Sequence, residues 1–191
     1  MGTTKITDSQ LIAHYLEGND ACFETLVKRH KDKVYTTIIM IVKDSYIAED
    51  IFQETFIKVV KTLRAGKYTD DGRFMQFAVR IARNLSIDYF RRVKKTPMIN
   101  GEAGESILDT MSFADNKQQK MEEAETINTI RQLVNELPDD QKEVLLLRHY
   151  GDLTFKEIAE LTKVPLNTAL GRMRYAIINL RKLIEKKSLV I

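Results

Sequence analysis

The sequence predicts an all-α protein built as two small helical domains joined by a flexible acidic linker. Three observations carry this. Apolar residues recur at helical spacing through most of the chain, the pattern of amphipathic helices that share a core. Glycine and proline are sparse, 8 and 3 among 191 residues, while apolar residues make up 43% and charged residues 30%. Between residues 94 and 125 the periodicity stops; the stretch holds Pro97, Gly101 and Gly104, with seven acids against four bases. That composition reads as a linker. The expected division is therefore a domain at 1–93, a linker at 94–125 and a domain at 126–191.

Each element has its own signal. Leu11, Ile12, Tyr15 and Leu16 form a short amphipathic set ended by Gly18-Asn19-Asp20. A second helix carries Phe23, Leu26, Val27, Val34, Ile38, Ile41 and Val42. A third runs from about Tyr46 to Leu63, with Ile47, Ile51, Phe52, Phe56, Val59, Val60 and Leu63 on its apolar side. Glycines bound the loop 64–72. The fourth helix, from about Arg73 to Val93, places Phe74, Phe77, Ala78, Ile81, Leu85 and Tyr89 on one stripe. The linker carries Met98, Ile99, Ile107, Leu108, Met111 and Phe113. A pure spacer has no use for these, so part of it is expected to dock on a partner.

The second domain opens with Ile127, Ile130, Leu133 and Val134, in a helix stopped by Leu137-Pro138. Asp139 or Asp140 is the expected cap of the next helix, through Val144, Leu145 and Leu147. Thr154-Phe155-Lys156-Glu157 reads as a capping box, in which threonine and glutamate each serve the other's amide. After the two turns of Ile158, Ala159 and Leu161, a tight turn through Pro165 leads to the last helix. Its expected buried stripe is Ala169, Met173, Ala176, Ile177, Leu180, Leu183 and Ile184.

Several function classes are excluded on this reading. Cys22 is the only cysteine, so neither an intrachain disulfide nor a thiolate cage can form, and its apolar neighbours make it a core residue. His14, His30 and His149 stand apart in sequence, and no H-E-x-x-H, glycine-rich phosphate loop or G-x-S-x-G is present. Asp50, Gln53 and Glu54 share a helix face, but no histidine or second acidic helix accompanies them. The expectation is no enzyme, no metal and no cofactor. With no apolar run near the ~20 residues of a membrane span and no leader-like N-terminus, no membrane association and a cytoplasmic location are expected.

The basic residues are arranged. Opposite the apolar stripe of the fourth helix lie Arg73, Gln76, Arg80, Arg83, Asn84, Ile87 and Arg91, and Asp88 is the one acid between Arg73 and Lys95. The usual i,i+4 ion pairing is thus not expected, and the stripe suits a phosphate backbone with a base edge in reach. From Lys163 to Lys187 there are seven bases and one acid. The outer side of the last helix holds Asn167, Gly171, Arg174, Tyr175, Ile178, Arg181 and Lys182, with Thr168 and Arg172 on its flank. A capped short helix, a tight turn and a basic helix make a helix-turn-helix, whose second helix enters a major groove.

Four stretches in this order, AEDIFQETF (48–56), FMQFAVRIARNLSIDYFRR (74–92), LPDDQKEVLLLRHYGDLTFKEIAE (137–160) and PLNTALGRMRYA (165–176), resemble the extracytoplasmic-function (group IV) sigma factors of bacterial RNA polymerase. The resemblance covers residues 9–93 and 126–187 and implies a promoter-specificity subunit that joins core polymerase, melts DNA and starts transcription at a specific regulon. It implies that Asp50, Gln53 and Glu54, with Phe56 beside them, bind core polymerase. It implies that the loop 66–72 and the helix after it capture a flipped base of the single-stranded −10 region. Asn84 would lie near that DNA, with Arg80, Arg83 and Arg91 on phosphates and Arg73 at the head of the stripe. The −35 duplex would be met by Thr168, Gly171, Arg172, Arg174 and Tyr175, with Arg181 and Lys182 on phosphates. An anti-sigma factor is the family's common regulator. Many relatives carry a basic residue and a serine where this chain has Leu170 and Gly171, which puts base readout there in question. The rivals are a free-standing helix-turn-helix regulator that does not join polymerase, and an adaptor with a basic helical surface.

Overall fold

The computed structural model describes residues 6–95, 129–130 and 132–187, with the side chains of residues 94 and 95 outside the description. The described elements are helices only, and they fall into two units, each with its own core. The linker residues at 96–125, and with them Met98, Ile99, Ile107, Leu108, Met111 and Phe113, lie outside the described residues, as does Ile127.

The N-terminal unit contains α1 (Asp8–Leu16), α2 (Asp20–Val42), α3 (Ser45–Arg64) and α4 (Phe74–Lys95). A capping box opens α1: Thr7 Oγ1 accepts from the Gln10 amide at 3.3 Å, and Gln10 Oε1 accepts from the Thr7 amide at 2.9 Å. Leu11, Ile12 and Tyr15 are buried, but Leu16, expected with them, is 53% exposed. Residues 11, 12 and 15 fall within about 100° of helical arc, and position 16 lies some 40° beyond it. Asp8 pins this helix to α2, its carboxylate 2.5 Å from Arg29 Nη1 and 2.7 Å from His30 Nε2. Asp44 caps α3 by accepting from the amides of Tyr46 and Ile47 at 2.9 and 3.0 Å.

Leu26, Val34 and Ile38 of α2, Val59 and Leu63 of α3, and Phe74, Ala78 and Val79 of α4 fill the core. Three hydroxyls buried with them, Thr37, Thr55 and Ser86, donate to the carbonyl four residues back at 2.8, 2.7 and 2.9 Å. Burial therefore leaves no cost of unmet hydrogen bonding at these groups. The buried arc of α4 is Phe74, Met75, Ala78, Val79, Ala82, Leu85 and Ser86, whereas the expected Phe77, Ile81 and Tyr89 are only half-buried.

In the C-terminal unit, residues 132–135 are helical and bury Leu133 and Val134, while Ile130 is exposed. Then come α5 (Asp139–His149), α6 (Phe155–Thr162) and α7 (Leu166–Lys186). Asp139 and Asp140 do not cap α5 but sit within its first turn, because the Gln141 and Lys142 amides donate to the Pro138 carbonyl. In α5, Val144, Leu146 and Leu147 are buried and Leu145 is half-buried. The capping box of α6 is present, with Glu157 N donating to Thr154 Oγ1 at 3.3 Å and Thr154 N to Glu157 Oε2 at 2.9 Å. The turn into α7 places Lys163 in the left-handed region at φ 58°, and Val164 N closes it on the Ala159 carbonyl at 3.0 Å.

Candidate nucleic-acid interface and docking face

On α3, the side chains at Asp50, Gln53 and Glu54 follow one another at i, i+3 and i+4 and form an outward ridge. Asp50 and Gln53 are exposed, and the half-exposed Glu54 lies 3.3 Å from Lys58 Nζ. Two grooves flank the ridge. One, beside α4, is lined by Asp50, Ile51, Glu54, Tyr89 and Arg92. The other, beside α2, is apolar and lined by Phe23, Val27, Phe52, Phe56, Ile57 and Val60. Phe56 is not part of the exposed ridge: it is 7% exposed and packs edge-on against Phe52, with ring centres 5.0 Å apart. It forms the floor of the apolar groove instead. Ile57, an apolar side chain one turn beyond Gln53, is 52% exposed on the groove's rim.

The loop before α4 is built by aspartates. Asp70 Oδ1 accepts from Gly72 N at 3.1 Å and Asp71 Oδ1 from Arg73 N at 3.2 Å, local turns that this residue type favours. Gly66 and Gly72 take φ values of 63° and 73°, which suit glycine. Tyr68 packs against Phe77 in a tilted contact, with centroids 4.8 Å apart. Burial, then the charges of Asp70 and Asp71, push its phenol well above the ordinary range, so it stays neutral.

Along α4, Asn84 is exposed while Arg73, Arg80 and Arg83 are half-buried. Arg91 pairs with the one acid of the helix at i,i+3 spacing, its Nη1 3.3 Å from Asp88 Oδ1. On α7 the structure presents Thr168, Leu170, Arg174, Tyr175, Arg181 and Lys182 outward, with Tyr175 60% exposed. Gly171 is in helical conformation, and a Cβ added there meets no atom within 4 Å. Arg172 is set apart from this ridge. Its side chain is 25% exposed, and its Nε lies 3.1 Å from Asp140 Oδ2. Ile177, expected in the core, is 39% exposed, and the fully buried residues of α7 are Ala169 and Ala176.

Among the described residues, no three His, Cys, Asp or Glu side chains are placed to hold a metal ion. No described helix is long and apolar enough to cross a membrane.

The comparisons with known proteins divide along the same two units. The family model described as sigma-70 region 2 matches residues 26–96, and that described as sigma-70, region 4 matches residues 127–170. The ECF RNA polymerase sigma factor SigW of Bacillus subtilis is 30% identical over 171 residues, 87% of this chain and 90% of that one. The RNA polymerase sigma-H factor of Pseudomonas aeruginosa is 28% identical over 175 residues, 89% and 90% of the two chains. Among solved structures, the sigma factor RpoE in complex with the anti-sigma factor NepR from Bartonella quintana aligns with a TM-score of 0.62 at 16% identity, over 85% of this chain and 96% of that one. CnrH, solved with the cytosolic domain of CnrY, aligns at 0.60 and 19% identity, over 94% and 97%. At these identities the structural likeness is one of fold.

Proposed function

The chain belongs to the sigma-70 family, in its extracytoplasmic-function group, and from that premise we propose how its two units divide the work. It is a sigma factor that joins RNA polymerase and directs transcription initiation at promoter DNA. The family is not one of catalysts; we assign the chemistry to the polymerase and place this chain with it in the cytoplasm.

In our reading the N-terminal unit docks on core polymerase through Asp50, Gln53 and Glu54, a polar ridge fitted to a basic partner. The apolar groove floored by Phe56 widens that docking face. The loop 66–72 and α4 take the single-stranded −10 region, with Tyr68 and Asn84 toward bases and Arg73, Arg80, Arg83 and Arg91 toward phosphates. The C-terminal unit sets α7 in the major groove of the −35 duplex. Thr168, Gly171, Arg174 and Tyr175 face the bases, and Arg181 and Lys182 the backbone. Two tethered contacts of modest strength gain from effective concentration, so the spacing of the two promoter elements becomes part of specificity.

The observation that carries this reading is the order of the two family matches along one chain. A free-standing regulator would account for the second and leave the first without a purpose. The test is to add the purified chain to core polymerase and look for promoter-specific transcripts. Asp50→Ala combined with Glu54→Ala is expected to abolish holoenzyme assembly on a gel-filtration column; unchanged assembly would move the docking face elsewhere. We further propose an anti-sigma partner that covers the ridge and the α2/α3 groove. Recovery of polymerase subunits alone from cells in the uninduced state would argue against that partner.

A further inference from the structure

We infer that the first turn of α5 is a polar clamp that fixes the rotation of α7, and that Arg172 is a positioning residue held by Asp140 rather than a DNA contact. The inference rests on the reading of α7 as the recognition helix and adds what aims it.

Two anchors support it. Asp140 Oδ2 lies 3.1 Å from Arg172 Nε, and the neighbouring Gln141 accepts at Oε1 from Asn179 Nδ2 at 2.9 Å. Adjacent residues on α5 thus hold two side chains on α7 that lie two turns apart and on one side of it. The same seven-residue step separates the alanines that α7 buries, Ala169 and Ala176, both 0% exposed. Each alanine is followed three residues later by its anchor, Arg172 or Asn179. The seat of the helix therefore includes a repeated pair, a small fully buried contact and a polar one.

This division has a mechanical meaning. An alanine methyl allows close approach but projects little, so it resists rotation about the helix axis weakly. Met173, Leu180, Leu183 and Ile184 of the same stripe are only half-buried, so their shapes hold that angle less tightly than fully enclosed side chains would, and the polar pairs complete it. At the roughly 5–6 Å radius of a helix with its side chains, a rotation of about 20° moves side-chain tips by about 2 Å. Hydrogen bonds to base edges do not survive such a shift. Arg172, three-quarters covered and turned to Asp140, sets where Thr168, Arg174 and Tyr175 point.

The test uses holoenzyme and the duplex that the unsubstituted holoenzyme selects from a library randomised across the −35 element. Binding is measured over a range of salt concentrations. Asp140→Asn and Arg172→Met are each expected to weaken binding roughly three- to tenfold, and the double variant no more than the worse single one. The slope of log affinity against log salt stays unchanged, because no phosphate contact has been lost. The exchanged pair, Asp140→Arg with Arg172→Asp, regains most of the affinity. Asn179→Leu, which removes the second anchor without a change of charge, gives a loss of the same kind. Holoenzyme assembly, read on the same samples, reports that the variants are folded.

The proposal is overturned if Arg172→Met lowers the salt slope by about one while Asp140→Asn binds normally. It is overturned equally if the exchanged pair binds worse than either single variant, since an aspartate at a DNA-facing position 172 would repel phosphate. Failure of the underlying reading looks different: the unsubstituted holoenzyme would then select no −35 sequence, and the clamp would have nothing to aim.

Discussion

Helices α4 and α7 look alike in sequence, 22 and 21 residues long with a basic outer face, yet they are held by different means. α4 drives Phe74, Met75, Val79 and Leu85 into a core shared with α2 and α3. α7 fully buries only Ala169 and Ala176, leaves Met173, Leu180, Leu183 and Ile184 half-buried, and reaches back to α5 with a charged and an amide side chain. Enclosed volume fixes the first; the second adds polar anchors to a shallower apolar seat. A basic amphipathic pattern therefore says which side of a helix faces outward, but not how firmly that side is aimed.

Substitutions can break this contrast. The largest effect is expected from Phe74→Ala, which empties a fully buried site and should cost about 3–5 kcal/mol in urea unfolding. Should the loss stay below about 1 kcal/mol, α4 is not held by volume. In α7 the sensitive direction is reversed: Ala176→Leu overfills its contact and should destabilise the C-terminal unit by about 1–3 kcal/mol, seen as faster amide exchange there. A neutral result would mean that α7 is not closely seated. Thr154→Ala removes the α6 cap and should cost about 1 kcal/mol, again confined to the C-terminal unit in amide exchange. The smallest effect belongs to Gly171→Ser. The site has open space, so helix propensity alone should yield a gain of about 0.5 kcal/mol or less. A changed −35 preference with unaltered core binding would place position 171 at the DNA, and an unchanged preference would remove it.

Much of the fold was legible in the sequence because helical spacing, caps and breakers are local. The Thr154–Glu157 box and the stops at Gly18 and Pro138 are of that kind. What was not legible depended on neighbours distant in sequence. Periodicity showed α4 to be amphipathic but not where its buried arc was centred; packing against α2 and α3 favoured Met75, Val79 and Ala82 over Phe77 and Ile81. Ile177 continues an apolar stripe that the other elements do not fully cover. Asp140 looked like a cap because aspartate often is one, but Pro138 took that place and left the carboxylate for Arg172. Of the candidate site, the ridge of Asp50, Gln53 and Glu54 followed from spacing alone. The burial of Phe56 agrees with its place on the apolar side of α3, while the contact with Phe23 of α2 that helps enclose it was not legible.

The complete burial of Phe74, whose ring lies 5.5 Å from that of His30, bears on how the chain is made. Translation delivers α1, α2 and α3 before the side chain that fills the space among them. A nascent chain with α1–α3 released and α4 still inside the ribosome presents an apolar hollow, and such surfaces attract chaperones and self-association. Closure must await the emergence of α4 from the ribosome, so the N-terminal unit folds late relative to its own synthesis. Slow codons read while α3 has emerged and α4 is still inside the ribosome would lengthen the exposed interval, and the same codons read after α4 has emerged would not.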